Sequence, residues 1–199
     1  LRSRNIFELA HRVQIAWMRF HKNRDILMDK HLSIYFRLKF FQTVITPTIL
    51  FGLTSCAMTK SQICSLDVVQ RRMFRNIVGW VRHDAEPWDE TMRRMRSKVE
   101  VALRRYPIED WSTQLFRRQF RLAHRVGNMV DSWPARICKW HPPTSIPGAK
   151  RSQGRPVVRW DDYLRKFAEE EFADDWYVAC LDNDFPEREN AFVHFSLNI

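Results

Sequence analysis

The chain has 199 residues, 45% of them hydrophobic, with eight Trp and fourteen Phe, which is enough apolar side chain to build a core and excludes a disordered tail. Its net charge is +10, carried unevenly: residues 1–159 hold 30 basic against 12 acidic side chains, and residues 160–199 hold 3 against 11. Arg outnumbers Lys by 25 to 8. Arg suits bidentate phosphate contact and base stacking, so a polyanionic partner, nucleic acid, is expected, with docking on acidic protein neighbours as the plainer alternative. The apolar stretch at 44–53 is interrupted by Thr and Pro and is too short to span a bilayer, so no membrane span is expected. No N-terminal signal-peptide pattern is present, and the first residue is Leu1 rather than Met, as in a fragment or a processed product.

In chain order the pattern is helical almost throughout. Ile6, Leu9, Val13, Trp17 and Phe20 step by three and four, one face of an amphipathic helix. Residues 31–44 form a second helix with Leu32, Tyr35, Phe36, Phe40 and Val44 inward, which Pro47 stops or kinks. Thr59-Lys60-Ser61-Gln62 fits a capping box. It opens a third helix, with Ile63, Leu66, Val69, Met73, Ile77 and Trp80 as its stripe and Gly79 at its exit. Pro87 fits the first turn of a fourth helix, whose inward residues are Trp88, Met92, Met95, Val99 and Ala102 and which Pro107 closes. Trp111, Leu115, Leu122, Val126 and Met129 line a fifth. Five prolines and two glycines between 133 and 158 read as an extended linker. Two short helices follow, at 161–171 and near 186–195. The expected fold is all-α: a helical bundle over 1–132, a Pro-rich linker over 133–159 and acidic C-terminal helices over 160–199.

The basic residues fall on helix faces. Arg71, Arg72 and Arg75 share a side of the third helix, and Arg93, Arg94, Arg96 and Lys98 sit on the fourth. Arg117, Arg118, Arg121 and Arg125 form a stripe on the fifth, because positions four apart lie above one another. Such stripes neutralise phosphates without reading sequence. Any helix with an apolar face needs a polar one, and Arg is a good helix former. That explains the polarity but not the scarcity of neighbouring acids. Arg71, Arg72, Arg75, Arg93, Arg94, Arg117, Arg118, Arg121 and Arg125, with Arg155 and Arg159, are the candidate nucleic-acid-binding residues.

Cys56, Cys64, Cys138 and Cys180 are widely spaced and contain no C-x-x-C pair, so reduced, mostly buried thiols in an intracellular compartment are expected. Cys138 and His141 make half a zinc site that only folding could complete with His124 and Cys180. No metal and no cofactor is expected.

Residues 38–80, with L-K-F-F-Q-T-V-I-T-P-T-I-L-F-G and then V-V-Q-R-R-M-F-R-N-I-V-G-W, resemble the segment after the polymerase palm in LINE-like (non-LTR) retrotransposon reverse transcriptases, the thumb region. The shared landmarks are Pro47, Phe51-Gly52 and Gln70-Arg71-Arg72. Leu122-Ala123-His124-Arg125-Val126-Gly127-Asn128-Met129 resembles that family's W-x-G-H-V-x-R-M element. Gln153-Gly154-Arg155-Pro156-Val157-Val158-Arg159-Trp160-Asp161-Asp162 resembles its G-R-P-x-x-R-W-x-D-D signature. The family's Trp and His of the middle element fall on Leu122 and Arg125, and its Y-G-x-E-x-W is replaced by Phe51-Gly52-Leu53-Thr54-Ser55-Cys56. The resemblance implies a thumb-like domain holding an RNA or RNA–DNA duplex beside a palm encoded upstream. The other outcome is a retrotransposon-derived piece recruited as a structural subunit of a large assembly, a ribosome-like or other organellar particle, contacting rRNA or protein subunits in the nucleus or mitochondrion.

Phe172-Ala173-Asp174-Asp175 spells the tetrapeptide that carries catalytic magnesium in reverse transcriptases. A polymerase carboxylate pair sits on a hairpin between apolar strands so that both acids converge on two metals. Here the flanks are Glu169-Glu170-Glu171 and Trp176-Tyr177-Val178, an acidic helical context placed after the thumb-like part. Asp174 and Asp175 therefore read as solvated helix residues. No Gly-rich phosphate loop and no Ser or Cys with a sequence-supported His partner stands out. No catalysis is expected. Arg155 and Arg159 could clamp a phosphate or tie down the acidic tail, while Asp161–Arg165 and Asp162–Lys166 have helical ion-pair spacing.

Overall fold

A computed structural model describes residues 2–129, 133, 134, 136, 160–172 and 185–198. The described secondary structure is helical and contains no strand, as the all-α reading expects. The elements are α1 (Arg2–Lys22), α2 (Arg24–Leu27), α3 (Ile34–Leu50), a 3-10 turn (Leu53–Ser55), α4 (Lys60–Ile77), α5 (Trp88–Arg105), α6 (Trp111–Asn128), α7 (Asp162–Phe172) and α8 (Phe185–Asn198). Two compact units divide the chain, one of residues 3–53 and 59–114, the other of residues 1–2, 54–58 and 115–199. Of the linker expected over 133–159, only 133, 134 and 136 are described, and these have helical backbone. Asp174 and Asp175 lie outside the described residues.

In the first unit α4 packs on α5, α2 on α3, and α3 on α5. The face of α3 differs from expectation. Tyr35 and Phe36 are 49% and 47% exposed, while Leu38, Phe41, Ile45 and Ile49 are buried. Because α3 is apolar nearly all round, two stripes with a 3.6-residue period compete and sequence alone cannot choose. The chosen stripe brings Phe41 against Phe74 of α4, ring centres 5.0 Å apart, and stacks it on Trp111 of α6 at 5.8 Å. Burying each such ring contributes about 2–3 kcal/mol. The helix does not stop at Pro47 but continues to Leu50. Pro47 leaves the Thr43 carbonyl without its helical donor, while the hydroxyls of Thr43 and Thr48 donate to Lys39 O and Val44 O, both at 2.9 Å.

The capping box of α4 forms: Gln62 Oε1 accepts from Thr59 N–H at 2.8 Å, and Thr59 Oγ1 accepts from Gln62 N–H at 3.4 Å. Ile63, Leu66, Met73 and Ile77 are buried on its inner face. Cys64 points the other way and is exposed, and Cys56 is half-buried, so neither matches the mostly buried thiols expected. Gly79 ends the helix with φ +89, a conformation that only glycine adopts readily. Buried Gln70 uses both ends of its amide, donating to Glu109 O at 3.1 Å and accepting from Trp111 N–H at 3.0 Å.

The second unit has an aromatic core. Phe192 of α8 meets Phe116 and Phe120 of α6 and Phe167 of α7 at 5.4–6.0 Å. Leu164 and Ala168 are buried beside them. Asp161 accepts from Arg165 at 2.7 Å, the i,i+4 pair expected at this helix start. Gln119 donates its side-chain amide to Trp160 O.

Candidate nucleic-acid interface

The candidate arginines separate by partner. Arg71 is exposed and meets Asp110 at 3.2 Å, and Arg93 meets Asp89 one helical turn away at 3.2 Å. Exposed pairs of this kind hold loosely. Arg94 is more committed. Its Nε and Nη2 donate to the two oxygens of Glu86 at 2.9 and 2.7 Å, and Nη2 also donates to Val81 O at 2.7 Å. Glu86 further accepts from the Thr91 hydroxyl at 2.7 Å and from His83 N–H at 3.3 Å. The loop between α4 and α5 is thus tied at its middle.

In the second unit Arg117 and Arg121 converge on Glu189 of α8, at 3.3 and 3.0 Å, and Arg117 also donates to Asn190 Oδ1 at 2.7 Å. The stripe expected to face phosphate therefore spends two of its members on a buried carboxylate. The acid lies in the 160–199 tail, too distant in sequence for helical spacing to reveal. Arg118 is half-buried, and burial, followed by the charge of Arg121, holds its guanidinium below the ordinary value. Arg125 is exposed. Arg155 and Arg159 lie outside the described residues.

Arg72, Arg75 and Arg96, like Arg118 and Arg125, have no carboxylate partner among the described residues. Arg72 lies over the Trp17 ring at 5.6 Å. Arg75 is half-buried, and burial together with the charges of Arg72, Arg96 and Arg71 pushes its guanidinium below the ordinary value. Burying a cation among like charges costs free energy unless something negative offsets it.

Arg72 and Arg75 open onto a cleft of about 740 Å³ that is also lined by Trp17, His21, Asn76, Trp80, Trp88 and Met92. Trp80 and Trp88 contact each other at 5.8 Å, tilted by 53°, and are 36% and 58% exposed. Trp17 stacks on His21 at 5.7 Å. The expectation that Trp80 and Trp88 face inward fails, because each sits at a helix boundary. Trp80 follows Gly79 and has left α4. Trp88 is the first residue of α5 after the N-cap Pro87, where a side chain has no preceding turn to pack on. Gly79 and Pro87 were the signals that could have separated these rings from the core stripes.

Among the described residues no three His, Cys, Asp or Glu side chains gather as metal ligands. Cys138, His141 and Cys180 lie outside them. No described helix is long and apolar enough to cross a membrane. No family model matches the chain, and searches of curated proteins and of solved structures find no match.

Proposed function

We propose that this chain is a non-catalytic, helical nucleic-acid-binding domain, related to the thumb of LINE-like reverse transcriptases, that grips the phosphate backbone of RNA or an RNA–DNA duplex. One observation carries the reading. Arg75 is half-buried among Arg71, Arg72 and Arg96, and none of the described carboxylates pairs with it. A phosphate diester strand supplies the missing negative charge and releases its counterions on binding. The Q-R-R likeness, Gln70-Arg71-Arg72, falls on the same helix.

The test is fluorescence anisotropy of a labelled duplex across a salt series. Neutralising two or three phosphates gives a log–log slope of about −2 to −3. The double variant Arg72→Glu/Arg75→Glu loses most of the affinity and flattens the slope, whereas Arg93→Glu, on an exposed pair, changes little. Salt-independent binding, or full affinity in the double variant, overturns the proposal.

A second reading, recruitment as a structural subunit of a large assembly, draws on different residues. Phe7 and Phe51 are 71% and 66% exposed, and Tyr35 and Phe36 are nearly half exposed. Large apolar side chains in water suit a protein partner. Under this reading the isolated chain binds no duplex and self-associates, and substituting these four by Ser restores a monomer.

A further inference from the structure

Resting on the nucleic-acid reading above, we infer that the cleft lined by Trp17, Arg72, Arg75, Asn76, Trp80 and Trp88 is a pocket for an unpaired base of a single-stranded segment. A phosphate grip alone needs only cations. This cleft adds three tryptophans, an imidazole and a thioether to two arginines. Aromatic faces beside guanidinium groups are how proteins hold bases that have left a duplex, because every base has a π-face and every linkage a phosphate.

The geometry assigns the parts. Arg72 lies over Trp17, and His21 stacks on the same ring, so Trp17 is already engaged. Arg82 lies 6.0 Å above Trp88. Trp80 and Trp88 touch at 5.8 Å and 53°, which leaves no slot for a third ring between them. An incoming base therefore adds to the open surface of this tryptophan pair. Asn76 is half-buried on the same wall, and its side-chain amide has no hydrogen-bond partner among the described residues. It can both donate to and accept from a base edge. Arg75 is placed to take the adjoining phosphate. A paired base has its Watson–Crick edge used, and inside a duplex its faces too, so paired bases cannot fill this pocket as an unpaired one does.

The experiment compares one duplex in two forms, blunt and with a single-stranded overhang of roughly ten nucleotides. The overhang is made once as RNA and once as DNA, so that any need for the 2′-hydroxyl shows directly. The overhang form binds about tenfold more tightly. Trp80→Ala/Trp88→Ala erases that gain and leaves blunt-duplex affinity unchanged, while Trp80→Phe/Trp88→Phe keeps most of it. Trp88 is more than half exposed and Trp80 about a third, and melting curves check that these variants fold. If the overhang adds nothing, or its gain survives the alanine variant, the pocket inference is overturned while the phosphate grip stands. If neither form binds, both readings fall.

Discussion

Asp67 of α4 caps the first turn of α6 through Ser112. Its carboxylate accepts from Ser112 N–H at 2.9 Å and from the Ser112 hydroxyl at 2.7 Å. An acid borrowed from another helix thus takes the place of a local N-cap, satisfying a free donor and the positive end of the helix dipole together. Gln70, one turn further along α4, does the same for Trp111 N–H.

Asp67→Ala costs about 1–2 kcal/mol, measured by denaturant unfolding. Its pH signature is more specific. Burial outweighs the Ser112 hydrogen bonds and pushes the Asp67 carboxyl above its ordinary 3.8. The folded protein then holds this proton more tightly than the unfolded chain. The group's contribution is complete below 3.8 and declines as pH rises through the raised folded value. Asp67→Asn does not titrate, so it gains stability relative to wild type as pH rises above 3.8 and through the raised folded value. A relative loss over that range would show that the hydrogen bonds, not burial, dominate.

Glu86 has the opposite sign. Hydrogen bonds from Arg94 and then Thr91 pull its carboxyl well below the ordinary 4.5. Its contribution is present above 4.5 and disappears as pH falls through the depressed folded value. Glu86→Gln keeps the shape but loses the charge that Arg94 grips. The expected result is faster amide exchange across residues 79–87 with the helical circular dichroism unchanged. Unaltered exchange there would mean that the loop is held by something other than this carboxylate.

Glu189 is buried under Arg117 and Arg121. Replacing it by Gln weakens two charge-assisted contacts and costs about 2–4 kcal/mol. Arg117→Glu/Arg121→Glu is at least as damaging, since it places like charges against the acid. Both lower the melting temperature of the wild-type chain, a readout that Arg75→Glu, with no carboxylate to lose, leaves nearly unmoved. An unchanged melting temperature in Glu189→Gln would show that these two arginines are free for another partner.

The parts legible in the sequence were those governed by local rules. The α4 capping box needs only Thr59 and Gln62 three residues apart, and Gly79, Pro87 and Pro107 act through their own backbone. The stripes of α1 and α4 were readable because polar residues flank them. In α3 that contrast is missing, so Tyr35 and Phe36 were expected inside, whereas packing leaves both nearly half exposed. Arg117 looked free because its acid lies 72 residues away. The cleft was hidden for a related reason. Trp17, Arg72 and Trp88 come from three helices, and no spacing rule joins residues that only tertiary structure brings together.

Arg37 is almost fully enclosed at the start of α3, and its Nη1 donates to Ile77 O at 2.7 Å, pinning the end of α4 just before Gly79 and Trp80. A guanidinium keeps its proton at any pH a cell reaches, so this pin holds in acid. Its counterpart at the far side of the same loop, the Glu86 carboxylate, is held ionised well below its ordinary 4.5 by Arg94. The segment carrying Trp80 and Trp88 is therefore clamped at both ends, and acidification loosens it only once pH falls through the depressed value of Glu86.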